Sequence, residues 1–142
     1  MAIPTVSPSF MHAAFEYLTS QGVGEAAVLQ ALKRKHKGQL VINGRVPLED
    51  YQQLFNVGQN LTGDQHFGLN MGASPMPRTW GLVSHLVMAA PNPLLAITSL
   101  MNYSRLQLDF AQFELHEHDS GDLILSWHSN APRRPSRHVI EH

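Results

Sequence analysis

Apolar residues recur at helical spacing through most of the chain and switch to strict alternation only near its end. From Ser7 to Ser20, Met11, Ala14, Phe15 and Leu18 fall on one helical stripe. Ser7 can cap this helix, Pro8 suits its first position, and Gly22 ends it. A second helix is expected from Glu25 to Lys35, with Val28, Leu29 and Leu32 inward. Glu25 in its first turn and the Lys33-Arg34-Lys35-His36-Lys37 cluster at its end suit the helix dipole, and Gly38 closes it. Leu40-Val41-Ile42, ahead of the turn signal Asn43-Gly44, can form a brief strand. Pro47 opens a third helix with Leu48, Tyr51, Leu54, Phe55 and Leu61 inward and Gly63 as its stop.

The stretch from Asp64 to Pro77 predicts one short helical turn and then a loop. Gly81 to Ala90 is strongly apolar and reads as a buried helix broken by Pro91. Asn92-Pro93 is a cap and first position for a further helix to about Ser104, with Leu95, Ala96, Leu100 and Tyr103 inward. After Arg105 the period becomes two. Leu106, Leu108 and Phe110 alternate with polar residues, as do Phe113 and Leu115, and the phase slip between them predicts a bulge or kink near Ala111. Asp119-Ser120-Gly121-Asp122 is a turn, and Leu123, Leu125 and Trp127 form the returning strand. Asn130 to Ser136 reads as a connector, and His138-Val139-Ile140-Glu141 as the start of another element. The expected fold class is α+β, with N-terminal helices packed on a small antiparallel hairpin in the C-terminal third.

The 142 residues suit one domain. With no cysteine, disulfides and thiolate metal sites are excluded. No apolar run reaches the roughly 18–20 residues that cross a bilayer, and Met1-Ala2-Ile3-Pro4-Thr5 lacks the features of a signal peptide, so a cytoplasmic protein is expected. Ten Lys and Arg against eleven Asp and Glu argue against a DNA-reading surface. Only 15% of residues are charged, where about 25% is usual. Contact with a second subunit is one physical reason to tolerate so few charges, and a homodimer is expected.

Nine histidines raise the question of a metal-dependent enzyme. His116 and His118 lie two apart on a strand, with His128 on its partner. Placing Leu123, Leu125 and Trp127 on the face of Phe113 and Leu115 pairs Phe113 with Trp127 and Leu115 with Leu125. His116 and His128 then stand four strand positions apart, roughly 13 Å, too far to share one ion. No nucleophile elbow, P-loop or dinucleotide fingerprint occurs. Neither a cofactor nor catalysis is expected. A ligand-binding reading rests on Trp80, His85, Met88, Tyr103 and Trp127, each of which serves equally as core or interface. Met71, Met76, Met88 and Met101 suit an adaptable pocket or plain packing.

Four segments taken together are more specific. Arg45-Val46-Pro47-Leu48 opens a helix, and the run Leu61-Thr62-Gly63-Asp64-Gln65-His66-Phe67-Gly68-Leu69-Asn70-Met71-Gly72 follows. Next come the Trp80-Gly81-Leu82 helix and Ala96 to Leu106, which carries Leu100, Tyr103 and Arg105-Leu106 ahead of the strands. This order, from about Phe10 to Trp127, resembles the N-terminal arabinose-binding-like domain of a subgroup of AraC/XylS-type transcriptional regulators. Ser84 stands where that family often has Gly, and Asn92 where it has Thr; the first is small and the second keeps the cap. The resemblance implies a regulatory domain that binds a small-molecule effector, dimerises, and controls DNA binding by a C-terminal helix-turn-helix domain, of which this chain has none. It also implies a family domain that continues past this chain's end. A stand-alone carrier of a small or lipid-like molecule is the alternative.

Overall fold

Ser7 and Asn92 start the two helices for which the sequence offers a cap followed by proline. In the computed structural model, which describes residues 3–35, 44–74 and 81–131, the Ser7 side chain accepts from the Ser9 backbone N–H at 3.4 Å and opens α1 (Pro8–Ser20). Asn92 accepts from the Leu95 N–H at 2.9 Å and opens α6 (Pro93–Gln107). Between them lie α2 (Glu25–Lys35), α3 (Leu48–Thr62), α4 (Phe67–Ala73) and α5 (Leu82–Met88). Two strand pairs complete the α+β fold. Short strands β1 (Thr5–Val6) and β2 (Val46–Pro47) pair antiparallel, as do β3 (Ala111–Glu117) and β4 (Leu123–Ser129). The proposed strand at Leu40-Val41-Ile42 and the element at His138 fall outside the described residues.

The core belongs to α1–α4 and the two short strands. Val6, Leu18, Val28, Val46, Leu54 and Phe55 are wholly buried there, and Leu32 nearly so. An unbroken series of edge-on ring contacts runs through it: Phe10 to Tyr51 at 5.9 Å, Tyr51 to Phe55 at 4.9 Å, Phe55 to Phe67 at 5.6 Å, and Phe67 to Tyr17 at 5.4 Å. Such contacts add specific geometry to the burial of large apolar groups. Leu61 departs from expectation and is exposed, because it lies past the part of α3 that the other helices cover.

A polar seam joins this core to α6. Gln107 is buried; its carbonyl accepts from the Ser7 N–H at 2.7 Å and from Arg45 Nη2 at 3.2 Å, and its side chain accepts from Ser9 Oγ at 3.1 Å. Arg45 also donates to the carbonyls of Thr5 and Leu106 and, through Nε at 2.8 Å, to Thr5 Oγ1. Thr5 Oγ1 in turn donates to Asp109, whose other carboxylate oxygen accepts the Thr5 N–H at 2.7 Å. Gly81 lies over the same seam with φ +52°, and a Cβ there would meet Ser9 Oγ at 3.4 Å and Gln107 Nε2 at 3.5 Å. Those contacts are ordinary van der Waals distances, so it is the positive φ that favours glycine.

The C-terminal third corrects several expectations. α5 is shorter than the apolar run, and Val83 is its one buried residue; Leu82 is 77% and Met88 80% exposed. Leu95 and Tyr103 of α6, expected inward, are 47% and 45% exposed, while Ser104 and Gln107 face in. The helix runs on through Leu106, so the β pattern read from Leu106 to Phe110 is helix end and turn. Leu108 instead makes an isolated bridge to Val6. Regular pairing begins at Ala111, where the kink was expected, in the register derived from the sequence: Phe113 opposite Trp127 and Leu115 opposite Leu125. Only the base of the hairpin meets the core. Phe113 and Trp127 are half-buried against it, but Leu123 and Leu125 are exposed because no element covers the hairpin's far end among the described residues.

Candidate functional site

A cavity opens between α1, α2 and β2. Met11 and Phe15 of α1, Leu29 of α2 and Val46 of β2 form its apolar floor, with His12 and Glu25 among the polar groups that line it. Its volume, about 750 Å³, lies in the range of sites that take small molecules. Geometry explains the groove. Phe15 and Leu29 sit on the shoulders of their apolar stripes, half-buried, while Met11 and Val28 turn fully inward. The helices therefore meet at their inner edges and splay at their outer ones. Pro8 and Ser9 also line the groove, and Ser9 is hydrogen-bonded to Gln107, so one wall belongs to the polar seam. A smaller cavity of about 290 Å³ lies between α6 and β3, lined by Ser104, Arg105, Gln112 and Glu114 among others.

None of His85, Met88, Tyr103 and Trp127 lines either cavity. Trp80 lies outside the described residues. His85 and Met88 are exposed on α5, and Tyr103 is exposed on α6, against which α5 packs. Trp127 is half-buried at the base of the hairpin, its indole N–H enclosed without an acceptor among the described residues. These residues belong to one helix-and-hairpin layer but form no enclosed pocket there. Sequence reasoning missed the groove because its lining residues are minor members of ordinary amphipathic stripes. Of the methionines, Met71 is buried in the core, Met101 is half-buried and Met76 lies outside the described residues.

The histidines end up closer than strand spacing suggests. Glu114 Oε2 lies 3.3 Å from His116 Nε2 and 3.8 Å from His128 Nε2. The separation of roughly 13 Å applies to backbone positions, and both side chains lean toward the carboxylate between them. All three are exposed. Among the described residues, no group of three or more His, Asp or Glu is arranged to hold a metal ion. His118 sits in the turn, its ring against Ser120.

The family-like Thr-Gly-Asp run is a capping device. Thr62 Oγ1 donates to the Gly58 carbonyl and accepts the Asp64 N–H, and Gly63 ends α3 in the left-handed conformation. Asp64 then accepts the His66 N–H and the Asn70 side-chain amide, each at 2.8 Å, and so fixes the start of α4. The motif thus orients Phe67 into the ring series. Burial raises the pKa of Tyr17 in that series, with the Asp64 carboxylate adding to the effect; Tyr51 is raised well above its ordinary value by burial.

A family model described as the arabinose-binding domain of AraC transcription regulators, N-terminal, matches residues 24–142. The chain belongs to that family. The arabinose-binding family is the N-terminal ligand-sensing part of AraC-type regulators, and the regulator resemblance read from the motifs is thereby established. None of the curated proteins compared with the chain matches it. The matched span takes in α2 through the hairpin, whereas the α1 wall of the groove precedes it. No helix among the described residues is long and apolar enough to cross a membrane.

Proposed function

We propose that this chain is the effector-sensing and dimerising domain of a cytoplasmic AraC-type regulator, whose action on DNA is carried by a helix-turn-helix domain. The family match over residues 24–142 is the observation that carries this reading. The groove between α1 and α2 is the place offered for the effector. Its apolar floor would hold the body of a small molecule and its polar lining would orient it. The site has no catalytic role. A ligand there acts by favouring one arrangement of the helices that wall the groove. A stand-alone carrier would use the same groove. The uncovered apolar layer of α5, α6 and the hairpin favours the regulator, since a carrier has no reason to leave it bare.

The test is a thermal-shift panel of monosaccharides, amino acids and short carboxylic acids, run on the chain and on Leu29→Glu. A compound bound at one hundred times its Kd stabilises by about 2.7 kcal/mol. The expected result is at least one stabilising compound whose effect disappears in Leu29→Glu. Stabilisation that persists unchanged in that variant would move the effector site away from the groove.

A further inference from the structure

The small cavity between α6 and β3 differs in kind from the groove: most of its lining is polar, and it holds charges of both signs. α6 brings Ser104 and Arg105 to it. β3 brings Gln112 and Glu114, which share a strand face because they lie two apart. Ser104 and Ala111 are buried and form its floor. The Ser104 hydroxyl donates to the Met101 carbonyl at 2.9 Å and accepts from no group among the described residues, so a lone pair in the floor is unused. Arg105 is exposed and has no hydrogen bond or ion pair among the described residues. Glu114 is engaged at one oxygen only, since His116 and His128 both approach Oε2, which leaves Oε1 open. A guanidinium and a carboxylate thus line one cavity without pairing with each other.

We infer that this cavity is a binding site for a small α-amino acid, held by its two charged groups between α6 and β3. The site is separate from the groove between α1 and α2, and the inference does not depend on that groove. Charge is the first argument. A guanidinium takes a carboxylate through paired N–H donors. A carboxylate oxygen and a hydroxyl lone pair take the hydrogens of an ammonium. A plain anion would gain from Arg105 and lose to Glu114, and a plain cation the reverse. A zwitterion satisfies both, and an α-amino acid carries its two charges close enough together for a cavity of this size. Size is the second argument. About 290 Å³ lies at the lower end of the roughly 300–1,000 Å³ of ligand sites, which suits an amino acid better than an oligosaccharide. Met101 and Phe113, both half-buried, offer an apolar edge for a short side chain. Position is the third argument. The hairpin meets the core only at its base, so a ligand bonded to Arg105 on one side and Glu114 on the other ties β3 to α6 where the core does not.

The experiment is a titration of the isotopically labelled chain with L-alanine, L-valine and L-methionine at neutral pH, followed by amide chemical shifts. Propionate and ethylamine are titrated as well, because each keeps one of the two charged groups of alanine. The variants Arg105→Gln and Glu114→Gln are run beside the chain; both side chains are exposed, so their spectra are expected to keep the dispersion of the folded protein. The expected result is saturable binding of at least one amino acid with a Kd of about 1 mM or tighter and shifts centred on Ser104, Arg105 and Gln112. Either variant is expected to weaken that binding at least about tenfold, and propionate and ethylamine to bind at least about tenfold more weakly than the amino acid. No saturation by any of the three amino acids overturns the proposal. Propionate or ethylamine binding as tightly as the amino acid also overturns it, because the cavity then takes a single charge. Binding that either variant leaves unchanged does the same. Shifts centred on His12 and Leu29 overturn it too, and place the amino acid in the groove between α1 and α2. Failure here leaves the groove reading intact, since that is judged by the thermal-shift panel and Leu29→Glu.

Discussion

Phe67 and Leu82 are both large apolar residues at or next to the N-terminus of a seven-residue helix, and they have opposite fates. Phe67 is wholly buried between Tyr17 and Phe55, whereas Leu82 is 77% exposed. The contrast holds for their surroundings. α1–α4 enclose one another around a continuous ring series, while α5, α6 and the hairpin leave many of their large apolar side chains uncovered among the described residues. Hydrophobic content alone does not separate the two regions; the number of faces covered does. The first region is stabilised by its own burial, and the second keeps a large share of its apolar side chains exposed.

Mutations in the two regions should therefore differ sharply. Phe67→Ala removes a ring that touches two others in a closed core and is expected to cost about 3–5 kcal/mol in chemical denaturation. Gly58→Ala attacks the same ring from α3. The added Cβ would lie 2.6 Å from Phe67 Cζ, and since Tyr17 and Phe55 hold that ring, a cost of about 1–3 kcal/mol is expected. Alkaline pH probes the same core without mutation. Tyr51 keeps its proton in the folded state beyond the ordinary value of 10.0, so the stability it contributes is complete below that pH. Above it the unfolded chain ionises first, and stability falls by about 1.4 kcal/mol per pH unit until the folded-state pKa is reached. Denaturation curves from pH 9 upward, repeated with Tyr51→Phe, are expected to show a shallower decline in the variant.

The join between the regions gives an intermediate effect. Arg45→Met removes donors to the carbonyls of Thr5, Leu106 and Gln107 at a partly buried seam. A loss of about 1–3 kcal/mol is expected, read as lowered protection of the C-terminal turn of α6 in hydrogen exchange. At the small end, Leu82→Ser on the uncovered layer should change the stability of the dilute, monomeric chain by less than about 0.5 kcal/mol.

Much of the fold was legible because its signals are local and redundant. Ser7-Pro8 and Asn92-Pro93 fix helix starts by a hydrogen bond and a preset dihedral, Gly63 ends α3, and the alternation of Phe113, Leu115, Leu125 and Trp127 admits one register. The second region was misread for a definite reason. In α5 nearly every residue is apolar, so no polar face remains to indicate which side is covered, and burial was assumed for Leu82 and Met88. The end of α6 was misplaced because Leu106 and Leu108 alternate with polar residues as a strand does, although Leu106 is still helical and Leu108 caps the helix. The groove, together with the approach of His116 and His128 to Glu114, depends on helix splay and side-chain reach, which spacing along the chain does not encode.

Amide hydrogen exchange, followed peptide by peptide as the chain is concentrated, addresses the division into two regions most directly. Protection in α5, α6 and β4 is expected to rise with concentration, while that of α3 and the ring series stays constant. Protection independent of concentration in both regions, or rising equally in both, would contradict the proposed dimerisation of the regulator domain through its less enclosed region.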